Sequence, residues 1–266
     1  MNFVRKFIYE RSAIVIGPDK DYLVESRLLP IARKRDLDGV DGIVKLLQSR
    51  RGGPLEGEVV EAITTNETYF FRDQHPFDTL KGTVLPEMVE RRASSRKLRI
   101  WCGAASTGQE PYSILMTIFE GLPDPGQWDI DFVATDINET VLEQCRAGRY
   151  KQHEVNRGLP ASLLLKYFDR SGMEWVVQER LRKAVTFRTL NLADGWPFLG
   201  KFDIIFLRNV LIYFDVKMKA SILERARGVL AEDGALFLGG AETTLNLDRK
   251  YESVRDGRGV FYRKVA

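Results

Sequence analysis

A carboxylate at the start of a helix repels phosphate and suits a cation, and Glu110 is so placed. It follows Gly103-Ala-Ala-Ser-Thr-Gly108, a sharp turn of small residues that lets a ligand approach the backbone. A phosphate-cradling loop would continue Gly-Lys-Ser/Thr, but this chain continues Gly108-Gln109-Glu110. The common cofactor that joins an adenosine to an ammonium and a sulfonium is S-adenosylmethionine. Methyl transfer is therefore the first chemistry these residues suggest. A second acid, Asp136, ends the run Phe132-Val-Ala-Thr-Asp136, where it can accept hydrogen bonds from both ribose hydroxyls or cap the next helix. Nicotinamide-binding proteins share that acid, so it supports an adenosyl ligand without fixing the reaction.

Two further stretches carry reactive side chains. Thr64-Thr65-Asn66-Glu67-Thr68-Tyr69-Phe70-Phe71-Arg72-Asp73 sets polar groups beside three aromatics, and the fixed fork of Arg72 suits a carboxylate. Arg208 and Asn209 end the apolar run from Phe202, at the edge where ligands bind in open α/β sheets, and Tyr213 follows shortly after. The Asn/Asp-Pro-Pro-aromatic motif of DNA amino-methyltransferases is absent from this edge. His75 and His153 have no acidic partner at useful spacing and read as ordinary helix or loop residues. Cys102 and Cys145 are the two cysteines, so neither a disulfide framework nor a metal site is expected.

The elements that must position these residues alternate from Glu58 onward. Strands are expected at Arg99–Cys102, Asp131–Thr135, Val185–Leu190, Phe202–Leu207, Ala235–Gly239 and Gly259–Arg263, the last antiparallel to its neighbour. Helices are expected near Pro76–Arg92, Glu110–Glu120, Glu139–Ala147 and Val216–Leu230. That pattern gives an α/β fold, a Rossmann-like, mostly parallel sheet with helices on both faces. Residues 166–187 break the alternation and read as a small inserted β-subdomain.

Residues 1–51 read as a helical N-terminal domain, with a linker at 52–57 and the main domain over 58–266. Phe3, Phe7 and Ile8 share one helical face. A second helix starts near Asp19 as N-cap, with Tyr22, Leu23, Leu29 and Ile31 toward one side. A third runs from Asp41 to Arg50. Residues 1–57 hold 11 Lys/Arg and 8 Asp/Glu, so the whole net charge of +3 lies there. That excess suits an acidic protein partner, whereas the neutral remainder argues against nucleic acid. No apolar run nears the ~20 residues of a membrane span and the N-terminus lacks the pattern of a signal peptide, so a cytoplasmic monomer is expected.

Together NETYFFRD, ASTGQEPYS, ATDI, TLNL and LRNVLIYF, in this order, resemble the chemotaxis receptor methyltransferases of the CheR family. The resemblance spans essentially the whole chain. It implies methyl transfer from S-adenosylmethionine to glutamate side chains on the cytoplasmic helices of chemoreceptors. It also implies that Asn66, Thr68 and Arg72 line the cofactor site, that Glu110 meets the methionine amino group, and that Asp136 meets the ribose. Asn191, Leu192, Arg208 and Asn209 would complete the pocket, and Arg72 and Tyr213 would flank the transferred methyl. Gln109 replaces the first acid of the family's usual Glu-Glu. Relatives that tether a receptor's C-terminal pentapeptide carry a longer glycine-rich loop in the β-subdomain. This chain has only Asp169-Arg-Ser-Gly-Met173, so tethering is not expected, although Trp175 could serve another partner. The rival readings are a non-enzymatic signalling adaptor that binds the cofactor and a nicotinamide dehydrogenase. Glu110 opposes the latter.

Overall fold

Leu98, Ile100 and Cys102 alternate with Trp101, and the alternation sends the side chains of one strand into two separate cores. In a computed structural model, residues 1–49, 53–196 and 200–265 are described. The strands are β1 (Lys97–Gly103), β2 (Asp129–Asp136), β3 (Arg149–Lys151), β4 (Phe168–Ser171), β5 (Glu174–Val177), β6 (Val185–Thr189), β7 (Phe202–Leu207), β8 (Leu230–Leu238), β9 (Tyr251–Asp256) and β10 (Gly259–Lys264). Seven of them form one sheet in the order β6-β2-β1-β7-β8-β10-β9. Pairing is parallel from β6 to β8, and β10 runs antiparallel to both β8 and β9. All six expected strands are present, and β9 was not foreseen. The order reverses at β1, with β2 on one side and β7 on the other. Their carboxyl ends thus border the crevice where such sheets bind ligands.

The N-terminal part comprises α1 (Asn2–Ser12), α2 (Asp21–Lys34), α3 (Gly39–Gln48) and α4 (Pro54–Ile63). Its core joins Val4, Phe7 and Ile8 to Val24, Leu28 and Ala32, to Ile43 and Leu47, and to Leu55, Val59, Val60 and Ile63. Three sequence expectations are corrected here. The buried face of α2 is Val24/Leu28/Ala32 at four-residue spacing, while Tyr22 is 73% exposed. Asp19 lies in a short 3-10 turn, and Lys20 rather than Asp19 holds the N-cap position. Gly52 lies outside the described residues, but 54–57 form the first turn of α4, where Pro54 is tolerated because its missing N–H has no partner to lose. That helix packs into the N-terminal core, so this stretch is not a linker.

The remaining helices are α5 (His75–Thr79), α6 (Leu85–Arg91), α7 (Gln109–Gly121), α8 (Glu139–Ala147), α9 (Gln152–Asn156), α10 (Ala161–Tyr167), α11 (Glu179–Lys183) and α12 (Val216–Val229). A π turn over Leu80–Val84 joins α5 to α6 within the expected helix. A second sheet, β3-β5-β4, is antiparallel, with a two-residue Gly172-Met173 turn between β4 and β5. The β-subdomain therefore starts at Arg149, well before 166, and 185–189 belong to the main sheet as β6. No described helix is long and apolar enough to cross a membrane.

Candidate functional site

The turn after β1 is held from beneath by aromatic hydroxyls. Tyr150 donates to the Thr107 carbonyl (2.9 Å), Tyr112 to the Cys145 carbonyl (2.7 Å), and the Cys145 thiol to the Ser106 carbonyl (3.1 Å). Gly108 has φ +97°, and a Cβ there would lie 2.6 Å from the Tyr150 hydroxyl, so only glycine fits. The turn is thereby fixed with Glu110 in the first turn of α7.

Asp136, at the end of β2, is buried and orders the same turn. One oxygen accepts the Ser106 N–H (2.8 Å) and the other the Asn138 N–H (3.0 Å). Burial pushes its carboxyl up, and these two N–H groups oppose the shift. Each oxygen keeps a lone pair for a further donor, as a ribose requires. The helix cap is Asn138, whose side chain accepts the Val141 N–H, so Asp136 is free of that duty.

Glu110 is not a lone anion. Its carboxylate pairs with Arg208, which projects from the end of β7 and has a fully buried side chain. Arg208 also donates to Asp73 (2.8 Å) and to the Arg72 carbonyl (3.0 Å), so one guanidinium joins the turn after β1 to the Arg72 loop. Burial raises the Glu110 pKa and Arg208 pulls it back. Arg208 thus serves as a strut, with Glu110 still bordering the cavity.

Arg72 is half-buried and lies 5.8 Å from the Tyr69 ring, and it donates to the Glu67 carbonyl (2.8 Å). It is in no ion pair with another described residue, so its charge is not neutralised by a carboxylate there. Its loop is strained: Phe71, Asp73 and Gln74 have positive φ, as do Ser106 and Asn209 across the cavity. Asn209 and Tyr213 follow β7, and that segment is anchored by Glu242, a residue the sequence reading did not single out. The Glu242 carboxylate accepts the N–H groups of Asn209 (2.7 Å), Gly239 (2.7 Å) and Ile212 (3.3 Å). The available signal was an acid just beyond Gly239-Gly240, at the end of the strand neighbouring β7.

One cavity brings together all ten expected residues: Asn66, Thr68, Arg72, Glu110, Asp136, Asn191, Leu192, Arg208, Asn209 and Tyr213. Sequence reasoning missed its N-terminal wall, to which Ser12, Ile14, Ile63, Thr64 and Thr65 contribute. Cross-bonds hold that wall in place. The Val15 N–H donates to the Tyr213 carbonyl (2.9 Å), Asn191 to the Arg11 carbonyl (2.8 Å), Asn138 to Thr64 Oγ1 (3.0 Å), and Tyr9 to Asp215 (2.6 Å).

A mostly parallel sheet with this order, Glu110 in the helix after β1, Asp136 closing β2 and a crevice between them fit an S-adenosylmethionine-dependent methyltransferase. The comparisons specify it further. Residues 66–260 match the family model described as CheR methyltransferase, SAM binding domain, and residues 1–64 match CheR methyltransferase, all-alpha domain. The chain belongs to the CheR family of chemotaxis methyltransferases. It is similar to Chemotaxis protein methyltransferase 1 of Pseudomonas aeruginosa, with 43% identity over 97% of this chain and 95% of that protein. It is 41% identical to Chemotaxis protein methyltransferase Cher2 of Pseudomonas putida, over 97% of this chain and 95% of that protein. It is 38% identical to Chemotaxis protein methyltransferase of Escherichia coli, over 93% and 85%.

The side chains present fit that cofactor chemically. A buried carboxylate beside a guanidinium matches a zwitterionic amino-acid end, and Asp136 offers acceptors for a diol. Glu110→Gln should weaken both S-adenosylmethionine and S-adenosylhomocysteine by about tenfold to a hundredfold, the worth of a charge-assisted bond of about 1.5–3 kcal/mol. Calorimetry showing wild-type affinity for both in a folded variant would remove Glu110 from the site.

Proposed function

We propose that the chain transfers the methyl group of S-adenosylmethionine to glutamate side chains on the cytoplasmic helices of chemoreceptors, leaving glutamate methyl esters and S-adenosylhomocysteine. The observation that carries this reading is the convergence of Arg72 and Tyr213 on the cavity that holds Glu110 and Asp136. The bound cofactor supplies an electrophilic methyl on a cationic sulfur. A glutamate with a pKa of about 4.3 is already anionic near neutrality, so the chain needs no general base. Its task is alignment and the removal of water. Arg72, which is in no ion pair with another described residue, holds the acceptor carboxylate, and Tyr213 fixes its angle by one hydrogen bond. Asn66, Thr68, Asn191, Leu192 and Asn209 shape the remaining cofactor wall.

Arg72→Ala should lower receptor methylation at saturating substrate more than it lowers S-adenosylhomocysteine affinity, and Tyr213→Phe should do so less severely. Tritiated methyl transfer to a receptor cytoplasmic fragment reads both. Full turnover in either variant removes that residue from the catalytic pair, and no transfer by the wild type favours the adaptor reading.

Docking by the N-terminal helices belongs to the same proposal, but fewer cations are available for it than their number suggests. Arg5, Arg11 and Arg35 pair with Asp21, Glu56 and Glu58, while Lys20, Arg33, Lys34 and Lys45 are exposed and in no ion pair with another described residue. Pentapeptide tethering is not part of the proposal. Trp175 lies on the central strand of the small sheet, its indole N–H donates to Gln152 (2.9 Å), and Arg170 covers its ring at 5.0 Å. A free receptor C-terminal pentapeptide should therefore show no binding at micromolar concentrations, where a complex would need about −8 kcal/mol. A micromolar dissociation constant that Trp175→Ala abolishes would reverse this.

A further inference from the structure

A second groove begins where the Arg72 loop ends. One side is the segment after β8, from Gly239 to Arg249, and the other is one face of the β9–β10 hairpin. Alternation on β9 brings Tyr251, Ser253 and Arg255 to that face, opposite Tyr262 and Val260 of β10, while Val254 and Phe261 point the other way into the core. The end nearest the cavity is lined by Asp73, His75 and Pro76, and Glu242 lines the groove while holding Asn209 of the cavity.

The charges in this groove are unevenly satisfied. Its acids are occupied internally: Asp73 by Arg208 (2.8 Å), Asp248 by Arg227 (2.9 Å), and Glu242 by three backbone N–H groups. Its basic side chains Arg249, Arg255 and Arg258 are exposed, and none forms an ion pair or hydrogen bond with another described residue. The groove thus presents positive charge outward. It also offers apolar contact, with Val260 and Tyr262 on the hairpin and Leu245 72% exposed on the facing segment.

From this we infer that the groove is a second docking surface, in addition to the N-terminal helices, for the acidic helix that carries the acceptor glutamate. The inference rests on the methyl-transfer reading above and deepens it. An acceptor carboxylate at Arg72 belongs to a chain that must continue past the cavity mouth, and this groove starts there. The six residues of β9 span about 20 Å, close to four turns of an α-helix. An amphipathic acidic helix can lay its apolar side on Val260 and Leu245 and its carboxylates against the three arginines. Rim charges of this kind set encounter rate and salt dependence more than the chemical step.

The test is the triple variant Arg249→Glu/Arg255→Glu/Arg258→Glu, with a purified receptor cytoplasmic fragment as substrate. KM for the fragment should rise about tenfold or more and lose much of its salt sensitivity, as expected for three surface charge contacts of modest individual strength. Affinity for S-adenosylhomocysteine should be unchanged, and the triple Arg→Lys variant should stay near the wild-type KM. Equilibrium binding of the fragment to the S-adenosylhomocysteine-loaded protein reads the groove independently of turnover. Absent methyl transfer by a wild type that still binds the fragment through these arginines would overturn the methylation reading alone. Unchanged KM and unchanged fragment binding in the triple glutamate variant would overturn the docking site. So would a variant that methylates the fragment normally but no longer binds vesicles of anionic phosphatidylglycerol, because the groove would then face a membrane.

Discussion

Arg208→Met is expected to destabilise the protein by about 3–5 kcal/mol, because it leaves the Glu110 carboxylate buried without its counter-charge. The same change removes the strut between Asp73, the Arg72 carbonyl and α7, so methyl transfer should fall with it. The pH dependence has a definite sign. Without Arg208 the folded-state pKa of Glu110 rises further above its unfolded value of about 4.3. A raised folded-state pKa favours folding at low pH, and that contribution is lost as pH rises through the unfolded and then the folded value. The stability gap between variant and wild type should therefore widen as pH rises above the unfolded value, read by urea unfolding at each pH. A gap that stays constant or narrows would show that Glu110 does not depend on Arg208.

Glu242→Ala should reduce methyl transfer on the order of a hundredfold, or about 3 kcal/mol, with a smaller loss of S-adenosylhomocysteine affinity. Three backbone N–H groups lose one acceptor, and the left-handed Asn209 loses the bond that holds it. Glu242 is a positioning residue, so Glu242→Gln, which keeps one carbonyl oxygen, should recover part of the rate. Equal turnover in the Ala and Gln variants would show that the loop keeps its shape without this carboxylate.

The parts of the site legible in the sequence are local ones. Gly108 followed by Glu110, and Asp136 at the end of an apolar run, declare themselves within a few residues. What stayed hidden depends on adjacency across the sheet. Glu110 and Arg208 are 98 residues apart and meet because β1 and β7 pair, so an acid that reads as an open cation site is already braced. Glu242 and Asn209 are brought together in the same way by β7 and β8. Strand β9 was missed because it lies at the sheet edge, where Glu252, Ser253 and Arg255 meet water and blur its alternation. The first turn of α4 reads as part of a linker over 52–57 because Gly52-Gly53-Pro54 signals a break, yet Pro54 opens the helix.

The cross-bonds from Val15, Thr64 and Arg11 make the helical N-terminal part structural to the cavity rather than an appendage to it. A chain begun at residue 65 would keep every strand of the sheet, together with Glu110, Asp136 and Arg208. It would nonetheless hold an open trough in place of a pocket, missing Ser12, Ile14, Ile63 and Thr64 and no longer bracing the Tyr213 carbonyl. Any ligand gripped by both walls also clamps the two parts to each other. Force or heat applied to the N-terminal helices must then be met partly by cofactor affinity, and by reciprocity a partner seated on those helices can be felt at the cofactor.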